Sequence, residues 1–143
     1  MQLKLENWPE IKVTGFGEVA EALVSLSQDA DQYFCLESTD DGFVQVRRNK
    51  KGFVVEWRQD FSSKGPDLGL ARAGRREKLG RVVFTPKDEV FKVYASEMLK
   101  LGEAFEILCA FYYGPVRPKK FRWRGLTGTL KRYEKLKKTG KVF

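Results

Sequence analysis

The stretch Gly42–Gln59, GFVQVRRNKKGFVVEWRQ, limits the fold more than any other part of the chain. Two runs rich in Val and Phe flank Asn49-Lys50-Lys51-Gly52. In each, apolar residues recur at every second position, the period of a strand with one buried face. If the four residues form the loop, Arg48 lies opposite Phe53, Val46 opposite Val55 and Val44 opposite Trp57. Those pairs make one apolar face. Gln45 then faces Glu56, and Arg47 faces Val54, on the other. Turn length and periodicity agree on this register, and a slip of one residue would turn every apolar side chain the wrong way.

Other elements can be read around the hairpin. Glu10–Thr14 suits a short strand. In Gly17–Gln28, Val19, Ala22, Leu23 and Leu26 fall on one helical face, and Glu18 and Glu21 suit the positive end of its dipole. Tyr33–Glu37 is a strand separated from the hairpin by Asp41-Gly42. Asp60–Gly80 is punctuated by Gly65-Pro66, Gly69 and Gly74 and reads as an irregular loop. Arg81–Phe84 adds a strand to the same sheet. Thr85 caps a helix with Pro86 at its first position, and Val90, Val93 or Tyr94, Met98 and Leu101 form its stripe. Gly102 is a natural stop. Glu103–Tyr113 resumes as a second helix, ended by Gly114-Pro115. Phe121–Arg124, FRWR, alternates aromatic and basic residues as an edge strand would. Thr129–Lys138 suits a short helix with Leu130, Tyr133 and Leu136 on one side. Strands joined by short turns pair antiparallel. The expected class is therefore α+β, an antiparallel sheet of about four to five strands with helices packed on one face. Residues 1–125 form a single domain and 126–143 a basic C-terminal extension.

Charge sets the extension apart. Pro115–Phe143 holds 11 Lys and Arg against the single acid Glu134, a net +10. The remainder has 16 basic and 18 acidic residues, which recovers the overall +8. No apolar run approaches the roughly 18 residues of a membrane span. The N-terminal residues lack the apolar core of a signal peptide. The expected location is cytoplasmic, with no membrane partner. Cys35 and Cys109 both sit in apolar stretches and read as free thiols.

The chain contains no histidine. That removes Ser-His-Asp and Cys-His nucleophile systems and His-bearing zinc sites, and lowers the prior for an enzyme. Gly15-Phe16-Gly17-Glu18-Val19-Ala20 matches a G-x-G-x-x-A dinucleotide pattern, with Glu37 at a ribose-like distance. Glu18 at the helix N-terminus would oppose a pyrophosphate, however, and a hairpin follows where a second βαβ unit is needed. No cofactor is expected. Phe121, Trp123 and Tyr133 among the cations could stack bases while Lys and Arg meet phosphates. They could equally anchor the segment to the core.

YFCLES followed by GFVQVRRNKKGFVVEWR resembles small bacterial immunity proteins of polymorphic-toxin, contact-dependent inhibition systems. The shared pattern is aromatic-x-x-Leu-Glu, an aromatic-Val-Gln-Val strand, then Val-Glu-aromatic-Arg. A Thr-capped segment, TPKDEVFKVYASEML, and a Trp-bearing close, FRW, continue it. The similarity covers about Ile11–Trp123; the loop Asp60–Gly80 and the residues after Arg124 fall outside it. The resemblance implies no catalysis. It implies stoichiometric binding of a cognate toxin domain, with Arg47, Glu56, Arg58, Arg72, Arg75, Arg76, Arg122, Trp123 and Arg124 as partner-binding residues. The alternative is a nucleic-acid-binding accessory protein that uses the basic C-terminal segment. An exposed sheet edge also leaves room for a homodimer.

Overall fold

The computed structural model describes residues 1–5, 9–28, 33–38, 42–58, 69–84, 92–114 and 116–126, together with Lys135 and Lys138. In chain order the elements are β1 (Gln2–Leu5), β2 (Ile11–Lys12), α1 (Phe16–Gln28), β3 (Tyr33–Ser38), β4 (Gly42–Asn49) and β5 (Gly52–Arg58). They continue with β6 (Leu70–Arg75), β7 (Val82–Phe84), β8 (Val93–Tyr94), a 3-10 turn (Ala95–Glu97), α2 (Leu101–Tyr113) and β9 (Phe121–Gly125). Seven strands form one antiparallel sheet in the order β2-β1-β3-β4-β5-β6-β9, and β7 pairs with β8 in a small second sheet. The class is α+β, as expected, with more strands in the sheet than the sequence suggested.

The hairpin has the expected register. Val44 faces Trp57, Val46 faces Val55, and Arg48 faces Phe53. Pairing runs further than expected, to Asn49 opposite Gly52, so only Lys50 and Lys51 make the turn. Asn49 Oδ1 accepts the Lys51 N–H at 2.8 Å and closes it.

The apolar pairs lie on the face that α1 and α2 cover. Leu3, Phe34, Leu36, Val44, Val46, Val55, Trp57, Ala73 and Phe121 meet Val19, Leu23 and Leu26 of α1 and Ala104, Ile107, Leu108 and Phe111 of α2. Trp57 is the centre of this layer. Its ring stands edge-on to Phe111 at 5.2 Å and to Trp123 at 5.6 Å, arrangements the ring quadrupole favours.

Four expectations are corrected. Asp60–Gly80 was to be loop, yet Leu70–Arg75 is a strand between β5 and β9. Its sequence, LARAGR, lacks β-branched residues; lateral pairing on both sides makes it a strand. Gly74 suits a close approach there: a Cβ would lie 3.3 Å from both the Glu97 side chain and the Ser96 carbonyl. Val82–Phe84 joins β8 rather than the main sheet. Of the helix expected from Thr85 to Leu101, residues 93–100 are a short strand, a 3-10 turn and extended chain and Leu101 opens α2, while Thr85–Phe91 lies outside the described residues. Val93 and Met98 pack with Val54 and Val83 in a second small core, and Leu99 exchanges main-chain bonds with Phe53 at 2.9 and 2.8 Å. Gly102, read as a stop, lies in the first turn of α2. The Thr129–Lys138 helix lies outside the described residues except for Lys135 and Lys138. Leu126, assigned by sequence to the extension, is 1% exposed and donates its N–H to Leu70 O at 2.9 Å.

The strand β1 went unread in the sequence. It pairs with β2 and β3 and puts Leu3 into the core.

Gly52 gives a direct test of the β5–Leu99 contact. Its φ is +149°, and a Cβ would stand 2.6 Å from Leu99 O. Gly52→Ala is expected to cost about 2–3 kcal/mol, because strained backbone and a main-chain clash add. Urea unfolding of the variant against the parent chain measures it.

Candidate functional site

The outer face of the sheet, opposite the helices, carries most of the arginines singled out by sequence. The registers place Cys35, Gln45, Glu56, Arg72 and Arg124 in one lateral row across β3, β4, β5, β6 and β9. Arg47, Arg58 and Arg122 share this face. It is not left open to water over its whole width. The chain from Lys92 to Met98 lies across the β5–β6–β9 half and supplies a carboxylate and a carbonyl to it.

The row is therefore divided by function. Arg72, only 3% exposed, binds Glu56 through Nη2 and Nε at 2.7 and 3.0 Å and donates from Nη1 to Lys92 O at 2.8 Å. Its Nη1 lies 3.7 Å from Glu97 Oε1. Glu97 is 1% exposed and accepts Arg124 Nε at 2.7 Å and Nη2 at 3.0 Å. The Arg124 guanidinium also lies over the Tyr94 ring, and the Glu97 bond raises its pKa above the ordinary value. Glu56, Arg72 and Arg124 thus join Glu97 in an internal network. Sequence reasoning missed Glu97, because it read the segment as helix and gave that carboxylate no strand to face.

Arg75 and Trp123 point to the helical side. Arg75 bridges Glu103 of α2 at 2.9 Å and donates to Met98 O at 3.0 Å. Burial raises the Glu103 pKa, but the bonds from the Lys100 N–H and from Arg75 outweigh it and hold the carboxyl below its ordinary 4.5. Trp123 donates its indole N–H to Pro118 O at 3.0 Å and supports Arg117 over its ring.

Arg47, Arg76 and Arg122 are placed differently. Arg47 is exposed, with its guanidinium 5.8 Å from the Tyr33 ring centroid. Arg76 donates to Lys119 O, and Arg122 to Glu77 O. Arg117 donates to Trp57 O at 2.6 Å and to Gly69 O, and burial lowers its pKa. None of these four has a carboxylate partner among the described residues. Arg76 and Arg122, with exposed Lys78 and Lys119, make a positive corner around exposed Glu77, where the end of β6 meets the Pro118–Arg122 segment, whereas half-buried Arg117 is held apart from it, near the start of β6. Arg58 is half-buried on the outer face of β5. The candidates therefore fall into an interior network, a helix clamp and a basic corner, with Arg47 apart on β4.

The remaining polar groups offer little chemistry. Burial pushes the Cys35 thiol up to about 12, so it stays protonated near neutrality. Among the described residues, no group of three His, Cys, Asp or Glu side chains is placed to hold a metal ion. No helix there is long and apolar enough to cross a membrane.

The arrangement defines an α+β protein whose outer sheet face is half covered by its own chain and whose sheet ends in a basic corner. Compared with protein-family models, curated proteins and solved structures, the chain matches none.

Two measurements probe these ion pairs. Glu97→Gln leaves two arginines facing a neutral amide in a dry site and is expected to cost about 3 kcal/mol of unfolding free energy, against at most about 0.5 kcal/mol for Glu106→Gln at the exposed Lys120 pair. Equal costs would show that Glu97 is not the keystone of the network. Glu103 adds a pH dependence. Its folded pKa lies below the unfolded one, so its stabilisation is complete above about pH 5 and is lost as pH falls through the lowered value. Acid-dependent urea midpoints should show that loss in the parent chain and less of it in Arg75→Gln.

Proposed function

We propose that the protein is a stoichiometric inhibitor of the immunity type. It would bind an acidic surface of one cognate toxin domain inside the producing cell, without catalysis. The observation that carries this reading is the way the basic corner is built. Arg76 and Arg122 are anchored by main-chain carbonyls. A carbonyl fixes a guanidinium in place and leaves its full charge for a partner. Arginines held in this way are pre-organised, which suits the few residues that dominate binding energy and the charge complementarity that speeds encounter.

The nucleic-acid alternative loses two of its three stacking candidates. Phe121 is 1% exposed, and Trp123 packs edge-on against Trp57 and Phe121. Neither presents a face for a base.

Affinity capture of the tagged chain from its native cell extract, with nuclease and moderate salt, tests the proposal. A single stoichiometric protein that survives both treatments is expected. Arg76→Glu with Arg122→Glu should then weaken it by about tenfold or more, roughly 1.4 kcal/mol. Removal of Thr127–Phe143 spares buried Leu126 and should leave inhibition largely intact. Recovery of nucleic acid alone, lost on nuclease treatment, would overturn the proposal.

A further inference from the structure

The opposite end of the sheet has the reverse character. β2 is the edge strand there. Ile11 lies opposite Leu3 and so faces the helical side, whereas Lys12, opposite Gln2, faces away. Between this edge and α1 runs an apolar groove. Its middle, about 270 Å³, is floored by Leu3, Leu5, Ile11 and Ala22. It continues past Pro9 in a depression of about 360 Å³ and over the crest of α1 past Val24 in one of about 410 Å³. Ile11 and Val24 are 49% and 51% exposed.

The rim carries one sign of charge. Glu10, Glu18 and Glu21 line the three depressions, and among the described residues no Lys or Arg does. α1 contains no basic residue at all. Glu18 accepts the Thr14 N–H and hydroxyl, which lowers its pKa. Glu10 and Glu21 have no partner among the described residues. In a chain of net charge +8 this is a local inversion of sign.

We infer that this groove docks a basic, amphipathic peptide segment of a protein partner, apolar side chains on the floor and Lys or Arg against the three carboxylates. The apolar floor needs anchors at helical or strand spacing, and the rim selects cations over anions. The surface is separate from the basic corner and does not rest on the function proposed above.

The test is a fluorescence-anisotropy titration of the full chain against two synthetic peptides. One bears leucines at i, i+3, i+4 and i+7 with lysines between them; the other replaces every lysine by glutamate. The lysine peptide should bind saturably below about 100 μM, and the glutamate peptide should not. Glu10→Lys with Glu21→Lys changes only exposed, unpartnered side chains and should weaken binding at least tenfold with an unchanged circular dichroism spectrum. Arg76→Glu with Arg122→Glu should leave it unaltered, which separates this groove from the basic corner. No saturation by about 1 mM, equal binding of both peptides, or indifference to the Glu10 and Glu21 changes would overturn the inference.

Discussion

Glu97 enters the protein interior with both carboxylate oxygens engaged, one to Arg124 Nε at 2.7 Å and the other to Arg124 Nη2 at 3.0 Å, with Arg72 Nη1 at 3.7 Å. Burying such a group is expensive, and a well-packed apolar replacement often stabilises more. What the network supplies is position. β6 and β9 are neighbours in the sheet but are separated in sequence by the small second sheet and α2. Each donates one arginine to a carboxylate on the intervening chain. The same arginines bind Lys92 O, so the excursion is held at its middle as well. The Val54–Val93–Met98 core and the Phe53–Leu99 pairing then fall into place beneath it.

This dependence explains which parts of the fold could be read from sequence. The hairpin was legible because periodicity and turn length act locally and agree. α1 was legible because its four buried residues recur at helical spacing, and β9 because FRWR alternates. The stretch Val93–Leu101 misleads for a physical reason. Tyr94, Met98 and Leu101 fall at helical spacings, yet Val93 and Met98 pack with Val54, and Leu99 is extended to pair with Phe53. Those partners lie far away in sequence. β6 was illegible for a related reason: its small residues carry no strand preference and fit only between two neighbours that are already in place.

The candidate site was legible by residue type and not by role. Nine positions were singled out as partner-binding, and the sequence offered no means of separating them. Burial makes the separation. Glu56, Arg72 and Arg124 spend their charge on one another and on Glu97, and Arg75 spends its charge on Glu103. Trp123 closes the edge of the core beside Trp57. Period-two alternation could show that Arg72 and Arg124 share a face, but not that a later segment would cover that face.

What remains outward-facing is organised by the choice of anchor. Where an arginine meets a carboxylate, the local field is cancelled and the contact serves the fold. Where it meets carbonyls, as at Arg76 and Arg122, the side chain is held while the charge persists beyond the surface. Carboxylates with no cation partner among the described residues lie at the other end of the same sheet, around the groove beside α1. The two patches of unpaired charge therefore lie at opposite ends of the sheet, the basic one by β9 and the acidic one beside β2 and α1. On the two proposals made above, charge complementarity would steer an acidic surface toward the corner by β9 and a basic segment toward the groove beside α1.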